Sequence, residues 1–594
     1  MRFQRLFALP AILSALLGAA PPSGPAFVDR AADWGLTFRY DNGATGQLYY
    51  PEIVGGGAAL FDYDNDGDLD VFFVQGTVLE PGKAGAHPVH PIVPPGGRLF
   101  RNDFEDGKRR FVDVTEASGI KASGYGMGAA AGDYDNDGRI DLYLLNFGSN
   151  QLWHNEGNGT FTDVTRTANA DDPRMSLSAS FADLDADGWL DLYVADYVDF
   201  SIDRNVACYA ASSRRDYCGP SSFPATPDRL LHNKGGTFED ASQRAGIAAK
   251  AGRGMGVVAA DFDGDGRPDV FVANDGMENF LWHNRGHLTF EESALPAGVA
   301  VNGDGKVQAN MGISAGDFDD DGDLDLFVTH LNGETNTLWT NVGGGLFEDR
   351  TMQAGLAAPS LPFTGFGTAW IDYDNDGRLD LLSVNGAVRL VNEQAQRGDP
   401  FPYAETHQMF HNLGGRFADV SREMGEPFRH PEVGRGAAFG DIDNDGDMDV
   451  LIVNANGPAR LLVNEVGNRA PWLGLRLTGR PPGAPSGAKF DRDMLGAMAG
   501  IVRKGASTLW RRAATDGSYA SANDPRVLVG LGDASEVTEV RVKWPDGKAE
   551  TFPPPKLRAY TTLVEGTGKA PSPPAPLPSP AHPIPGRGEK GSPE

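Results

Sequence analysis

Aspartates recur along this chain in one spacing, D-x-D-x-D-G-x-x-D, and four carboxylates held that close together are a chelating set. The copies are Asp62, Asp64, Asp66 and Asp70; Asp133, Asp135, Asp137 and Asp141; Asp183, Asp185, Asp187 and Asp191; Asp261, Asp263, Asp265 and Asp269. They continue with Asp317, Asp319, Asp321 and Asp325; Asp372, Asp374, Asp376 and Asp380; and Asp441, Asp443, Asp445 and Asp449. Alternate carboxylates at the first, third and fifth places can converge on one hard cation, and glycine at the sixth permits the turn that returns the ninth to it. The seventh place is Asp68, Arg139, Trp189, Arg267, Asp323, Arg378 or Asp447, so only its backbone carbonyl is shared by all copies. An all-oxygen set of this kind predicts calcium, up to seven ions, as a folding partner of the chain. Seven such ions would move the formal net charge from −29 to −15.

Two other readings of the pattern fail. One acidic cluster alone is an ordinary polar turn closed by Asx hydrogen bonds, but seven copies with every aspartate in register are not. An EF-hand opens in the same way and requires an acidic ligand at the twelfth place. That place holds Phe73, Leu144, Val194, Val272, Val328, Ser383 and Ile452.

The elements that must position these loops repeat with them. Loop starts lie 50 to 78 residues apart, so a constant unit carries connections of variable length. Each loop follows a stretch of small residues such as Gly55–Ala59 or Gly128–Ala131, and precedes an apolar β-rich run such as Val71–Val74. An apolar pair leading into Asn comes next (Leu99 to Asn102, Leu152 to Asn155, and so on to Leu461 to Asn464), then Phe-x-Asp/Glu. Six of those Phe signatures follow the first loop; the seventh, Phe27-Val28-Asp29, precedes it. A last unit lacking its final strand, with a spare strand at the other end of the chain, predicts an all-β, closed seven-bladed β-propeller over residues 27–468. Residues 469–565 read as a second, small β domain and 566–594 as a Pro-rich disordered tail.

Composition narrows the setting. A chain this acidic is unsuited to nucleic acid or an anionic membrane surface. Residues 1–26 have the form of a cleavable leader: Arg2 and Arg5, an apolar stretch to Ala20, then small residues. That apolar stretch falls short of the roughly 20 residues a membrane-spanning helix needs. The expectation is a secreted, periplasmic or cell-surface monomer. In such a protein Cys208 and Cys218, the only cysteines, are expected to form a local disulfide.

The Asp loops with their Gly/Ala strands resemble FG-GAP/VCBS repeats, related to the integrin α propeller. Gly496-Ala497, Asp516-Gly517-Ser518-Tyr519-Ala520-Ser521 leading to Gly530-Leu531-Gly532, and Trp544-Pro545-Asp546-Gly547 are similar to an ASPIC/UnbV domain. Together they resemble the cartilage acidic protein 1 family, over roughly residues 27–565, a likeness that carries no known reaction. It implies that the metal loops share one face of the ring, so that the second strands end on the other, at Gln75, Asn146, Asp196, Asn274, His330, Asn385 and Asn454. The long insertions 76–97, 196–228 and 386–408 follow those ends and are expected to form a binding surface for an extracellular glycan or protein. Four histidines of the Asn signature, His154, His232, His283 and His411, are read as packing within their own blades. His330 with Asp196 is the one acid/base pair the upper face offers. No catalytic residue is assigned. An adhesion or binding module is the favoured class, and an enzyme or biosynthetic accessory protein with an upper-face site is the alternative.

Overall fold

The computed structural model describes residues 25–80, 96–105, 107–480, 491–533 and 536–570. The leader up to residue 24, the tail from residue 571 and most of the 76–97 insertion lie outside the described residues. Among the described residues no helix is long and apolar enough to cross a membrane.

Seven antiparallel sheets, each built on four strands, occupy residues 27–464. Blade 1 is Ala58–Phe61, Asp70–Phe73, Arg98–Glu105 and Lys108–Asp113. Blades 2 to 6 follow in chain order. Blade 7 has Gly434–Gly440, Asp449–Asn454 and Arg460–Asn464, with Phe27–Asp29 as its fourth strand. Phe27 pairs with Asn464 and Asp29 with Leu462, so the two ends of the ring are joined by main-chain hydrogen bonds. The first strand of each blade packs against that of the next, and Gly434–Gly440 packs against Ala58–Phe61. The ring is closed, with no open sheet edge between the first and last blades.

Small residues line the inner strands because the backbones there run close together. A side chain on Gly128 would strike the main chain of Leu177, and one on Gly256 that of Met311. Larger side chains point between blades: Phe61, Phe72, Phe73, Tyr143, Tyr193 and Trp339 are among the most deeply buried.

In every blade the ninth aspartate opens the second strand and pairs with the last residue of the first, as in Phe61 with Asp70 and Gly132 with Asp141. The acidic loop is thus the turn between strands one and two. Asn of the third strand ties it down. Its backbone N–H donates to Oδ1 of the ninth aspartate at 2.7–2.9 Å in all seven blades. In six of them its side-chain Nδ2 also donates to a carbonyl in the preceding blade's loop, as Asn155 does to Tyr63 O at 2.7 Å.

After the ring, two four-stranded sheets enclose one small core. Trp472–Gly479 pairs with Val527–Gly530 and, in parallel, with Tyr560–Val564; Met498–Arg503 pairs with Leu509–Arg512 and Val537–Lys543. Leu473, Leu475, Ile501, Val540, Val542 and Trp544 fill the space between.

Asn155 is fully buried and its amide also donates to Ile140 O. Replacing it by Ala leaves two buried carbonyls without a donor, each worth about 1–3 kcal/mol. Asn155→Ala is expected to destabilise the ring by about 2–4 kcal/mol, read from the denaturant midpoint; a loss below about 0.5 kcal/mol rules out the inter-blade clamp.

Candidate functional site

The seven loops share one internal geometry. Oδ2 of the first aspartate accepts the N–H of the sixth-place glycine at 2.8–3.1 Å. The fourth residue has positive φ whether it is Asn65, Asn136, Ala186, Asp320, Asn375 or Asn444, and Gly264 serves in blade 4. This turn gathers Asp62, Asp64 and Asp66 so that their ligand oxygens lie within 4.8 Å of one another. Buried carboxylate oxygens of Asp135, Asp185, Asp372 and Asp443 have no hydrogen-bond partner. Burial above all, together with neighbouring loop carboxylates, pushes Asp141, Asp183, Asp317 and Asp441 up to about 7. Crowded oxygen donors with orphaned lone pairs and raised proton affinity fit a hard divalent cation. The first, third, fifth and ninth aspartates and the seventh carbonyl would hold it.

The histidines do pack within their blades, but against these loops. Nδ1 of His154, His232, His283 and His411 lies 3.2, 2.8, 3.1 and 3.1 Å from Oδ1 of the ninth aspartate of its own loop. Blades 1, 5 and 7 have Arg101, Thr340 and Val463 at that place. The repeat of the third strand carried this signal, since a residue next to the clamping Asn has to lie beside the loop that Asn clamps.

The small β domain covers the loop face. Arg492, itself buried, donates to Asn136 Oδ1 at 2.6 Å and Gly188 O at 3.0 Å, bridging the loops of blades 2 and 3. Ser507 donates to Asp320 at 2.7 Å and Gly532 N–H to Asn375 O at 2.9 Å. Arg526 donates to Asn444 and to Asp441 O, while Tyr560 O–H reaches Asp441 Oδ2 at 2.9 Å. Two loops stay widely exposed: blade 1 with Asp64, Asp66 and Gly67 in solvent, and blade 4 with Gly264, Asp265 and Gly266 beside a cleft of about 690 Å³.

From this domain one segment enters the channel. Thr515 Oγ1 donates to Ala131 O, Asp516 Oδ2 accepts from Ser180 Oγ and Ala259 N–H, and Ser518 exchanges main-chain hydrogen bonds with Ile313. Tyr519, fully buried, passes through to donate to Val54 O at 2.7 Å and packs its ring 4.9 Å from Phe366. The motif Asp516–Ser521 therefore touches the inner strands of several blades and plugs the ring. Nothing in its spacing signals this, because every partner is distant in sequence.

On the opposite face the expected row of strand ends is structural. Asn146, Asn274 and Asn385 turn their side chains back onto local carbonyls at Ser149, Glu278 and Thr406. Asp196 is held by Arg174 at 2.7 Å, whereas His330 is fully buried in blade 5 against Thr337 Oγ1 and pushed down to about 3 by that burial. The structure does not bring His330 and Asp196 together, for blade 4 separates them.

What covers this mouth is built from the insertions. Asp216 of the blade 3 insertion accepts Tyr403 O–H at 2.8 Å and Leu390 N–H at 2.9 Å from the blade 6 insertion. Cys208 and Cys218 are bonded to each other inside the first of these. Tyr217 O–H donates to Glu52, a wholly buried carboxyl pushed up to about 8 by burial. Arg435 lies beneath, donating to the carbonyls of Ile53, Gly386, Gly434 and Ala387 with its guanidinium 4.2 Å from the Phe366 ring centre. A cavity of about 90 Å³ remains, lined by Tyr50, Tyr197, Met255, Asp275, Met311 and Phe366 among others.

Fold and site define a closed seven-bladed propeller with an acidic turn in each blade and a β domain that caps one face and plugs the channel. The pattern is that of a known family: FG-GAP-like repeats match residues 62–144, 133–194, 218–272, 261–328 and 317–383, and the chain belongs to that family. An ASPIC and UnbV domain matches residues 487–570. Cartilage acidic protein 1 of Xenopus tropicalis is 25% identical over 92% of this chain and 77% of its own length. The Homo sapiens protein of the same name is 25% identical over 86% of the chain and 70% of its length. A solved structure of YCF48 bound to D1 peptide aligns over 75% of this chain and 97% of its own, with 9% identity and a TM-score of 0.38.

Truncating Tyr519 removes a buried ring and its hydrogen bond. Tyr519→Ala is expected to destabilise the docked domain by about 3–5 kcal/mol and to expose residues 515–524 to protease. An unchanged cleavage pattern would show that the plug does not depend on this side chain.

Proposed function

We propose that this protein is an exported, calcium-loaded binding module whose ligand face is the channel mouth opposite the acidic loops. The asymmetry of the two faces carries the reading. The loop face is occupied by the chain's own β domain, and the other mouth holds an aromatic cavity where two insertions meet the Tyr50–Val54 segment and residues of blades 4 to 6. Calcium belongs to the fold on this reading, neutralising the loops on which the β domain sits. Export is supported by the leader pattern and by the Cys208–Cys218 bond, which suits an oxidising compartment. The test is a screen of extracellular glycans and proteins run with calcium and with chelator; a specific ligand lost with calcium supports the reading.

This division of labour is tested in three ways. Calcium should raise the thermal midpoint, through a stabilisation of about 2.7 kcal/mol for a single site at a hundredfold excess over its Kd. Removing the first loop's set by Asp62→Ala with Asp64→Ala should lower the stoichiometry measured by equilibrium dialysis by one ion. Deleting residues 203–219 should leave calcium stoichiometry intact and abolish ligand capture, and loss of both refutes the division.

A second reading, an enzyme or biosynthetic accessory protein acting in the same cavity, draws support from one feature. Asp275 is pushed up to about 6, chiefly by burial, and lies against Tyr197 O–H in a compact pocket, where a side chain could exchange a proton.

A further inference from the structure

Most carboxylates around the upper mouth are fully partnered. Asp196 pairs with Arg174, Glu432 with Arg460, and Asp216 accepts from Tyr403 and Leu390. Glu52 takes Tyr217 O–H on one oxygen and leaves Oε1 without a hydrogen-bond partner, but it does not line the cavity. Asp275 differs. It is 7% exposed, it lines the cavity, and among the described residues it forms no ion pair. Tyr197 O–H donates to its Oδ2, and Tyr50 O–H in turn donates to Tyr197 Oη. Arg253 and Arg389 act on it only at longer range. Arg389 also lines the cavity, but it is exposed, and an exposed guanidinium that makes no direct contact adds little.

The walls around this carboxylate are apolar and polarisable. Met255 and Met311 stand with Leu331, Phe366 and the rings of Tyr50 and Tyr197. Thioethers and aromatic rings accept alkyl groups. The Phe366 ring already carries the Arg435 guanidinium, whereas among the described residues no arginine forms an ion pair with the Asp275 carboxylate. A space of about 90 Å³ suits a short chain with one polar head and excludes an oligosaccharide. Resting on the reading of the channel mouth as the ligand face, we propose that this cavity captures a primary ammonium group on a short alkyl stem, the chemistry of a lysine side chain. The ammonium sits on Asp275, its three N–H donors matched to the free carboxylate oxygen and the tyrosine hydroxyls, and the stem lies against Met255 and Met311.

The test titrates the calcium-loaded, full-length protein with n-butylamine and with a peptide bearing one internal lysine, followed by calorimetry. Neutral controls are n-butanol and the same peptide with norleucine. Butylamine should bind at least about tenfold more tightly than butanol, and Asp275→Asn should weaken the amine by about tenfold or more with calcium stoichiometry unchanged. Tyr197→Phe should weaken it by a smaller factor. Peptide binding at least as tight as that of butylamine assigns the ammonium to a protein partner; butylamine binding alone assigns it to a free amine. No saturable binding of either up to about 50 mM, or equal affinity in Asp275→Asn, overturns the proposal. Should Asp275→Asn fail to fold, Met311→Trp fills the cavity instead, and retained amine binding in that variant overturns it too. A ligand from the glycan and protein screen that binds Asp275→Asn as well as the unaltered protein removes the ammonium assignment and leaves the ligand face standing.

Discussion

Everything in this ring hangs on one hydrogen-bonded carboxylate, repeated seven times. The ninth aspartate of each loop spends one oxygen on the loop's own second residue, as Asp70 does on Tyr63 N–H, and the other on the clamping Asn. It therefore ties three things together: the turn, the second strand that it begins, and the third strand. The Asn then reaches into the preceding blade. A charge buried this deeply is costly unless it is fully satisfied. The cost is tolerable because each carboxylate is shared between local and inter-blade contacts, and because a cation beside it would balance the remaining acids.

The same constraint explains the two faces. Seven acidic turns on one side make a surface that needs covering and neutralising. Arginines of the β domain, Arg492 and Arg526 foremost, meet loop carbonyls and amides there, and Tyr560 meets a carboxylate. Covering that face leaves the other free to diversify. There the connections between strands two and three lengthen into a cap, and the channel beneath is stopped by Tyr519 acting through Val54 and Phe366. The two faces are mechanically continuous through a single side chain.

How much of this could be read in advance depended on periodicity. The Asp loops, the Asn signature and the displaced Phe27 strand are in register with the fold, so blade order, closure and the place of the loop between strands one and two were legible. The histidines were placed in the right blades, but their approach to the loop was missed. Its sign was their adjacency to Asn. The pairing of His330 with Asp196 misled, because each is held in its own blade, Asp196 by Arg174 and Ser176 and His330 by Thr337. The plug and the Asp275 cavity were illegible for a different reason. Their contacts join segments far apart in sequence that share no repeat, such as Tyr519 with Val54 or Asp216 with Tyr403, and no local pattern encodes such a meeting.

The pairing of Phe27–Asp29 with Arg460–Asn464 has a consequence for the order of assembly. The closing strand is the first part of the ring to be synthesised and the last to find its partner. Until residue 464 has emerged, blade 7 has no edge to offer, and the early blades must wait as an open arc. The finger that ends up in the channel is made later still, and as a loop fixed at both ends it cannot be threaded by a terminus. The ring therefore closes around it or receives it tip first from the loop side. On the first route the pairing of blade 7 and the seating of Tyr519 are one event; on the second, one tyrosine seats after every blade is made.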